Sequence, residues 1–190
     1  MDKMQKEMTT QQMVSSDAGK RAQAFFEEGY NCCQSVFLAF GERYGFSKEL
    51  AARMAASFGG GVGRLREVCG AVSAMALVCG LECGATEGAD QQGKAANYEQ
   101  MQVLAAQFQE QNGSLICREL LGLDRQTDGQ SQNHGTESIP SDMVGGMGNH
   151  QPQARTATYY ATRPCKELVG SAAEILELWL KMREEHKEVE

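Results

Sequence analysis

At 190 residues the chain is long enough to bury a substantial core within one domain. Its formal charge is −7, with acidic and basic residues interspersed and no basic stripe, which argues against nucleic acid or an anionic membrane as a partner. The longest apolar run, "VCGAVSAMALVCGL" at 68–81, is shorter than the roughly 20 residues of a membrane span. The N-terminus carries no apolar signal core, so a cytoplasmic protein is expected.

In chain order, residues 1–16 read as a polar N-terminal arm, and a single helical domain is expected over 17–190. A long helix is predicted from Asp17 to Arg43. It carries Phe25, Cys32, Val36 and Ala39 on one side, with Phe26, Cys33, Phe37 and Phe40 beside them. On this reading Gly29 sits inside the helix and Cys32 near its middle. Ser47 reads as the N-cap of a short helix through Ser57.

The glycine cluster "FGGGVG" follows, and then a central helix over 66–83 that is apolar nearly all round. A helix over 91–111 is predicted with Tyr98, Met101, Leu104, Ala105 and Phe108 inward. Ser114 opens a short helix ending near Leu121. Residues 124–157 are rich in Gly, Asn, Gln and Ser and show no period, so a long loop is expected there. The last helix, 163–186, points Leu168, Ile175, Leu176, Trp179 and Met182 inward. No segment alternates cleanly as a strand. The fold class is all-α, a bundle of five to six helices with a glycine-rich connection before the central one.

Seven cysteines stand at 32, 33, 69, 79, 83, 117 and 165. The odd count, the chain length and the missing export signal favour reduced thiols, kept for metal or redox work, over a disulfide frame. Cys69, Cys117 and Cys165 fall in the first turn of predicted helices, Cys117 after Ser114 and Cys165 after Thr162 and Pro164. A helix N-terminus favours thiolate over thiol and lowers a cysteine pKa. Cys32, just after Gly29, completes a set of one cysteine from each of four helices, and bundles build metal sites from facing helices in this way.

Four thiolates suit zinc or an iron–sulfur cluster. No C-x₂-C pair and no C-x-x-C-H haem c motif occurs. Cys79 and Cys83 could share a helix face with Cys69, although Cys79 reads as core. Gly59-x-Gly61-x-Gly63 has no preceding strand and fits neither the dinucleotide nor the Walker spacing. Gly59, Gly60, Gly61 and Gly63 instead suit a backbone that bends tightly against a bound group, with Arg64 and Arg66 offsetting negative charge. His134, His150 and His186 have no spacing partner and read as surface residues. No serine triad or carboxylate pair points to a reaction.

"GYNCCQSVF" (29–37), "FGGGVGRLREVCGAVSAM" (58–75), "CRELLG" (117–122) and "CKELVG" (165–170) together resemble the C_GCAxxG_C_C family of redox-active proteins with four hallmark cysteines. The resemblance implies that these are Cys32, Cys69, Cys117 and Cys165. Ala74 stands where the family motif has its last glycine, which puts close packing at that position in question. The family is similar to part of split-Soret cytochrome c, which implies an iron–sulfur site without the haem.

A [2Fe–2S] centre on the four cysteines is therefore expected, for electron transfer or redox sensing, with zinc as the lesser alternative. Gly59, Gly60, Gly61, Gly63 and Arg64 would form its shell. The redox partner is unidentified, and a homo-oligomer is open. Two rival readings are a metal-free thiol–disulfide protein and a helical interaction module whose cysteines only pack.

Overall fold

The computed structural model of the protein describes residues 17–123 and 150–187. The expected N-terminal arm, most of the glycine-rich stretch and His134 lie outside these residues. The described residues form eight α-helices: α1 Asp17–Glu27, α2 Cys32–Gly41, α3 Lys48–Ala55, α4 Gly70–Cys83, α5 Gln91–Asn112, α6 Cys117–Leu120, α7 Ala157–Thr162 and α8 Cys165–Lys187. There is no strand among them, only one isolated antiparallel bridge between Val68 and Ile116. The fold is all-α. Among the described residues no helix is long and apolar enough to cross a membrane.

The helix expected from Asp17 to Arg43 is two helices. Gly29 takes φ +102 and ends α1 in a Schellman motif. Gly29 N donates to Phe26 O (3.1 Å) and Tyr30 N to Phe25 O (3.2 Å). The accompanying apolar contact is the Phe25–Tyr30 ring pair, with centroids 5.9 Å apart. Asn31 then opens α2 with a reciprocal capping box. Its Oδ1 accepts from Gln34 N and its own N–H donates to Gln34 Oε1, both at 3.0 Å. "EGYN" is thus a helix stop followed by a helix start, and Cys32 becomes the first residue of α2.

Ser47 caps α3 as expected, its Oγ accepting from Leu50 N at 3.2 Å. Helix α4 begins four residues later than the periodicity suggested, because the chain before it turns through left-handed backbone. Ser114 Oγ accepts from Ile116 N at 3.0 Å and donates to Glu119, which fixes the entry to α6. Helix α7 was not anticipated: the expected loop ends earlier, with Thr156 accepting from Tyr159 N at 3.1 Å as its N-cap.

Helix α2 lies at the centre, packed on α1, α3, α4 and α8, while α5 covers α4 and α8. Phe26, Phe37, Met75, Leu104, Phe108, Ile175 and Leu176 are fully buried between them. Each such side chain contributes about 1.5–3 kcal/mol by leaving water. Buried Trp179 donates its indole N–H to Gln100 Oε1 at 3.0 Å, tying α8 to α5. Tyr98, expected on the inner face of α5, is 62% exposed: the burial stripe of this helix runs through Leu104 and Phe108. Ala74 is fully buried in the core, so its methyl group is accommodated where the family motif has glycine.

Candidate functional site

Each of the four cysteines singled out by the sequence stands at a helix N-terminus. Cys32, Cys117 and Cys165 are the first residues of α2, α6 and α8, and Cys69 is the N-cap of α4. The bridge between Val68 and Ile116 sets two of them together. Cys69 N donates to Leu115 O (2.8 Å) and Cys117 N to Glu67 O (2.7 Å). Since side chains alternate along paired extended backbone, Cys69 and Cys117 leave the bridge on the same side. From the other direction, the capping box starts α2 at Cys32, and the Pro164 carbonyl accepts from Leu168 N (2.9 Å) to start α8 at Cys165.

Two glycines let these segments close. A Cβ on Gly61 would lie 2.7 Å from Cys117 Cβ and 2.7 Å from Glu67 N. A Cβ on Gly70 would lie 2.9 Å from Phe58 O, 3.1 Å from Cys33 N and 3.2 Å from Cys32 Cβ. Gly70 therefore sets the approach of α4 to α2, a role the sequence reading did not assign. Around Gly61 the chain runs through consecutive positive φ values: Gly60 +66, Gly61 +71, Val62 +58, Gly63 +56 and Arg64 +69. This left-handed stretch is unfavourable for L-residues by roughly 1–2 kcal/mol each, and Val62 is β-branched. Strain of this kind persists where surrounding structure over-determines it.

Cys32 donates a hydrogen bond to Cys165 and feels the charges of Cys69 and Cys117 as well, so the four thiols lie within electrostatic reach of one another. All seven cysteines are free thiols. Among the described residues no three His, Cys, Asp or Glu side chains form a group that could hold a single metal ion. Cys32, Cys117 and Cys165 line a cavity of about 270 Å³, while Cys69 does not line it. Gly59, Gly60, Gly63 and Arg64 form part of the cavity wall, whereas Gly61 packs against Cys117. His150 lines the same cavity, and both His150 and His186 are exposed, as read from the sequence.

The expectation that helix N-termini would lower the thiol pKa values is not met: only Cys165 is lowered, and its neighbouring side chains do it. The hydrogen bond from Cys32 brings Cys165 down to about 7, against its burial and with help from Arg163, Arg155 and Arg66. Cys32, the donor, is held well above the ordinary thiol range. Burial pushes Cys69 up to about 12, although the Ala71 and Val72 amides at the start of α4 pull it back. Burial also raises Cys117 against the opposing charge and hydrogen bond of Arg66. Desolvation thus outweighs the helix terminus at Cys69 and the arginine at Cys117.

Arg155 and Arg163 also belong to this cavity, and the sequence reading missed both. Arg155 lies over Phe26 and Tyr159, its guanidinium carbon 4.1 and 4.6 Å from the ring centroids. Its Nη2 donates to Tyr30 O at 3.1 Å. Arg163 precedes Pro164 and faces the same Tyr159 ring at 5.2 Å. Only the "RPC" junction beside Cys165 could have drawn attention to Arg163. Arg155 sits in a segment without periodicity.

Cys79 and Cys83 do not join Cys69. They occupy the far end of α4, about 15 Å along the helix from its start. There they pair with each other at 3.9 Å between sulfurs. Asn97 Nδ2 donates toward both sulfurs (3.5 and 3.4 Å) and to Cys79 O (3.3 Å).

In comparison with known proteins, residues 30–179 match a family model described as "Putative redox-active protein (C_GCAxxG_C_C)". No curated protein and no solved structure matches the chain significantly. The matched residues contain all four converging cysteines.

Proposed function

The chain belongs to the C_GCAxxG_C_C family of redox-active proteins, and from that premise we propose that Cys32, Cys69, Cys117 and Cys165 hold a [2Fe–2S] cluster for electron transfer or redox sensing. The observation that carries this reading is the convergence of four thiols from four helix N-termini, beside a cavity walled by arginines. The donor set fits the group, since four soft thiolates are the usual complement of such a cluster. The thiols also fall into two pairs, Cys32 with Cys165 and Cys69 with Cys117 across the bridge, which suits two irons with two ligands each.

When bound, the cluster would supply one-electron redox chemistry at low cost in rearrangement. The chain's own residues prepare the site for negative charge. Arg66 hydrogen-bonds Cys117, while Arg66, Arg155 and Arg163 all favour the thiolate of Cys165. The Ala71 and Val72 amides favour the Cys69 thiolate. Hydrogen bonds and charges of this kind set the potential of an iron–sulfur centre.

Anaerobic purification, followed by visible and EPR spectra before and after reduction, tests the reading. A cluster spectrum lost in Cys69→Ser supports it. A protein that stays colourless after reconstitution with iron and sulfide overturns it.

One observation favours a second reading. The hydrogen-bonded Cys32–Cys165 pair, with one sulfur poised as a thiolate near neutral pH, is the arrangement a metal-free dithiol would use. That reading predicts a two-electron thiol potential in the colourless protein, and its loss in Cys165→Ser.

A further inference from the structure

We propose that the cavity beside the four cysteines is also an anion site, which binds a small oxyanion between Arg155 and Arg163. The inference deepens the redox reading of the same cavity and rests on it for the anion's purpose as substrate or effector. The binding itself is testable with or without metal.

Two buried donors point to a ligand. Arg155 Nη1 and Arg163 Nε are buried and have no hydrogen-bond partner among the described residues. Arg163 is 8% exposed, so this unpaired N–H belongs to a guanidinium almost wholly withdrawn from solvent. Both side chains line the cavity. Neither is loosely placed: Arg155 is stacked on Phe26 and Tyr159 and tied to Tyr30 O, and Arg163 faces Tyr159 from the other helix end. A guanidinium held this way presents a fixed fork, which suits the paired oxygens of an oxyanion.

Charge points the same way. Arg64, Arg66, Arg155 and Arg163 line the cavity, and no Asp or Glu among the described residues does. An oxidised [2Fe–2S] cluster on four thiolates carries two negative charges, fewer than the positive charges of Arg66, Arg155 and Arg163 alone. Arg66 is already engaged by Cys117, which leaves the surplus on the Arg155–Arg163 side. The cavity, at about 270 Å³, has the volume of about nine waters at about 30 Å³ each. A four- or five-atom anion fits within that space.

Titration calorimetry with inorganic phosphate, sulfate and nitrite, on both reconstituted and metal-free protein, tests the proposal. Saturable binding of at least one of them is expected. Affinity should fall at least about tenfold in Arg163→Gln and in Arg155→Gln, and stay unchanged in the exposed control Arg53→Gln. Arg155→Lys, which keeps the charge but not the fork, should also bind more weakly. No saturable binding to the wild-type chain in either form overturns the proposal, as does binding that both glutamine variants retain. Anion binding without cluster assembly would refute the iron–sulfur reading and leave this site standing; cluster assembly without anion binding would do the reverse.

Discussion

Cys32 and Cys165, the first residues of α2 and α8, line the same cavity, and a hydrogen bond between their thiols sets the two apart. That contact turns two ordinary thiols into a thiol and a poised thiolate, and it sits where the cavity arginines converge.

The metal-free protein should therefore show one thiolate titrating near pH 7, with the remaining hallmark cysteines protonated well beyond it. Ultraviolet thiolate absorbance against pH reads this directly. Cys32→Ala removes the donor and should move the Cys165 titration upward, whereas Cys32→Ser retains a donor and should shift it less. An unchanged titration in Cys32→Ala would refute this role for Cys32.

Stability of the metal-free protein should rise between pH 7 and 9. The folded pKa of Cys165, about 7, lies below the ordinary 9.0, so in that window the unfolded chain binds the extra proton. Below about 7 both states are protonated and the contribution is lost. The difference, 9.0 minus 7, corresponds to at most about 3 kcal/mol. Above 9 the sign reverses, because folded Cys32, Cys33 and Cys69 keep protons that the unfolded chain gives up. Urea unfolding should show the rise in wild type and a flatter profile in Cys165→Ser. The same rise in both would contradict the assignment.

The glycine-rich segment makes three distinguishable predictions. Gly61→Ala should destabilise by about 1–3 kcal/mol and displace Cys117, since its Cβ would meet backbone at Glu67 as well as the Cys117 side chain. Gly63→Ala meets nothing within 4 Å, so only its φ of +56 opposes it, for a loss of about 1 kcal/mol. Val62→Gly relieves a β-branched residue at φ +58 and should be neutral or stabilise by up to about 1 kcal/mol. Denaturant titrations of the three variants check the order.

Asn97→Ala should lower stability by about 1–2 kcal/mol, because Cys79 O and both sulfurs lose their amide donor. The Cys79–Cys83 pair lies at the opposite end of α4 from Cys69, so iron content after reconstitution should not change. Loss of iron in this variant would place the second thiol pair in the centre and contradict the four-cysteine assignment.

Much of this architecture was legible in the sequence because its signals are local. Ser47 announced α3, the apolar stretch announced α4, and helix N-termini drew attention to Cys69, Cys117 and Cys165. The break at Gly29 was legible too, in Asn31 and Gln34 three residues apart, but continuous apolar spacing through Phe25, Cys32 and Val36 masked it. What the sequence could not convey was tertiary: the Val68–Ile116 bridge that sets Cys69 beside Cys117, and Arg155 brought back over Phe26 from far along the chain. The thiol pKa values failed for a related reason. Burial depends on what covers a cysteine, and at Cys69 it outweighs the helix terminus that sequence position reveals.

Iron and sulfide analysis of the anaerobically reconstituted protein, across serine variants of all seven cysteines, tests the central claim most directly. The account predicts about two irons and two sulfides per chain in wild type, Cys33→Ser, Cys79→Ser and Cys83→Ser. It predicts loss of the cluster in Cys32→Ser, Cys69→Ser, Cys117→Ser and Cys165→Ser. Iron and sulfide absent from the wild-type chain, or retained in all four of those last variants, would contradict it.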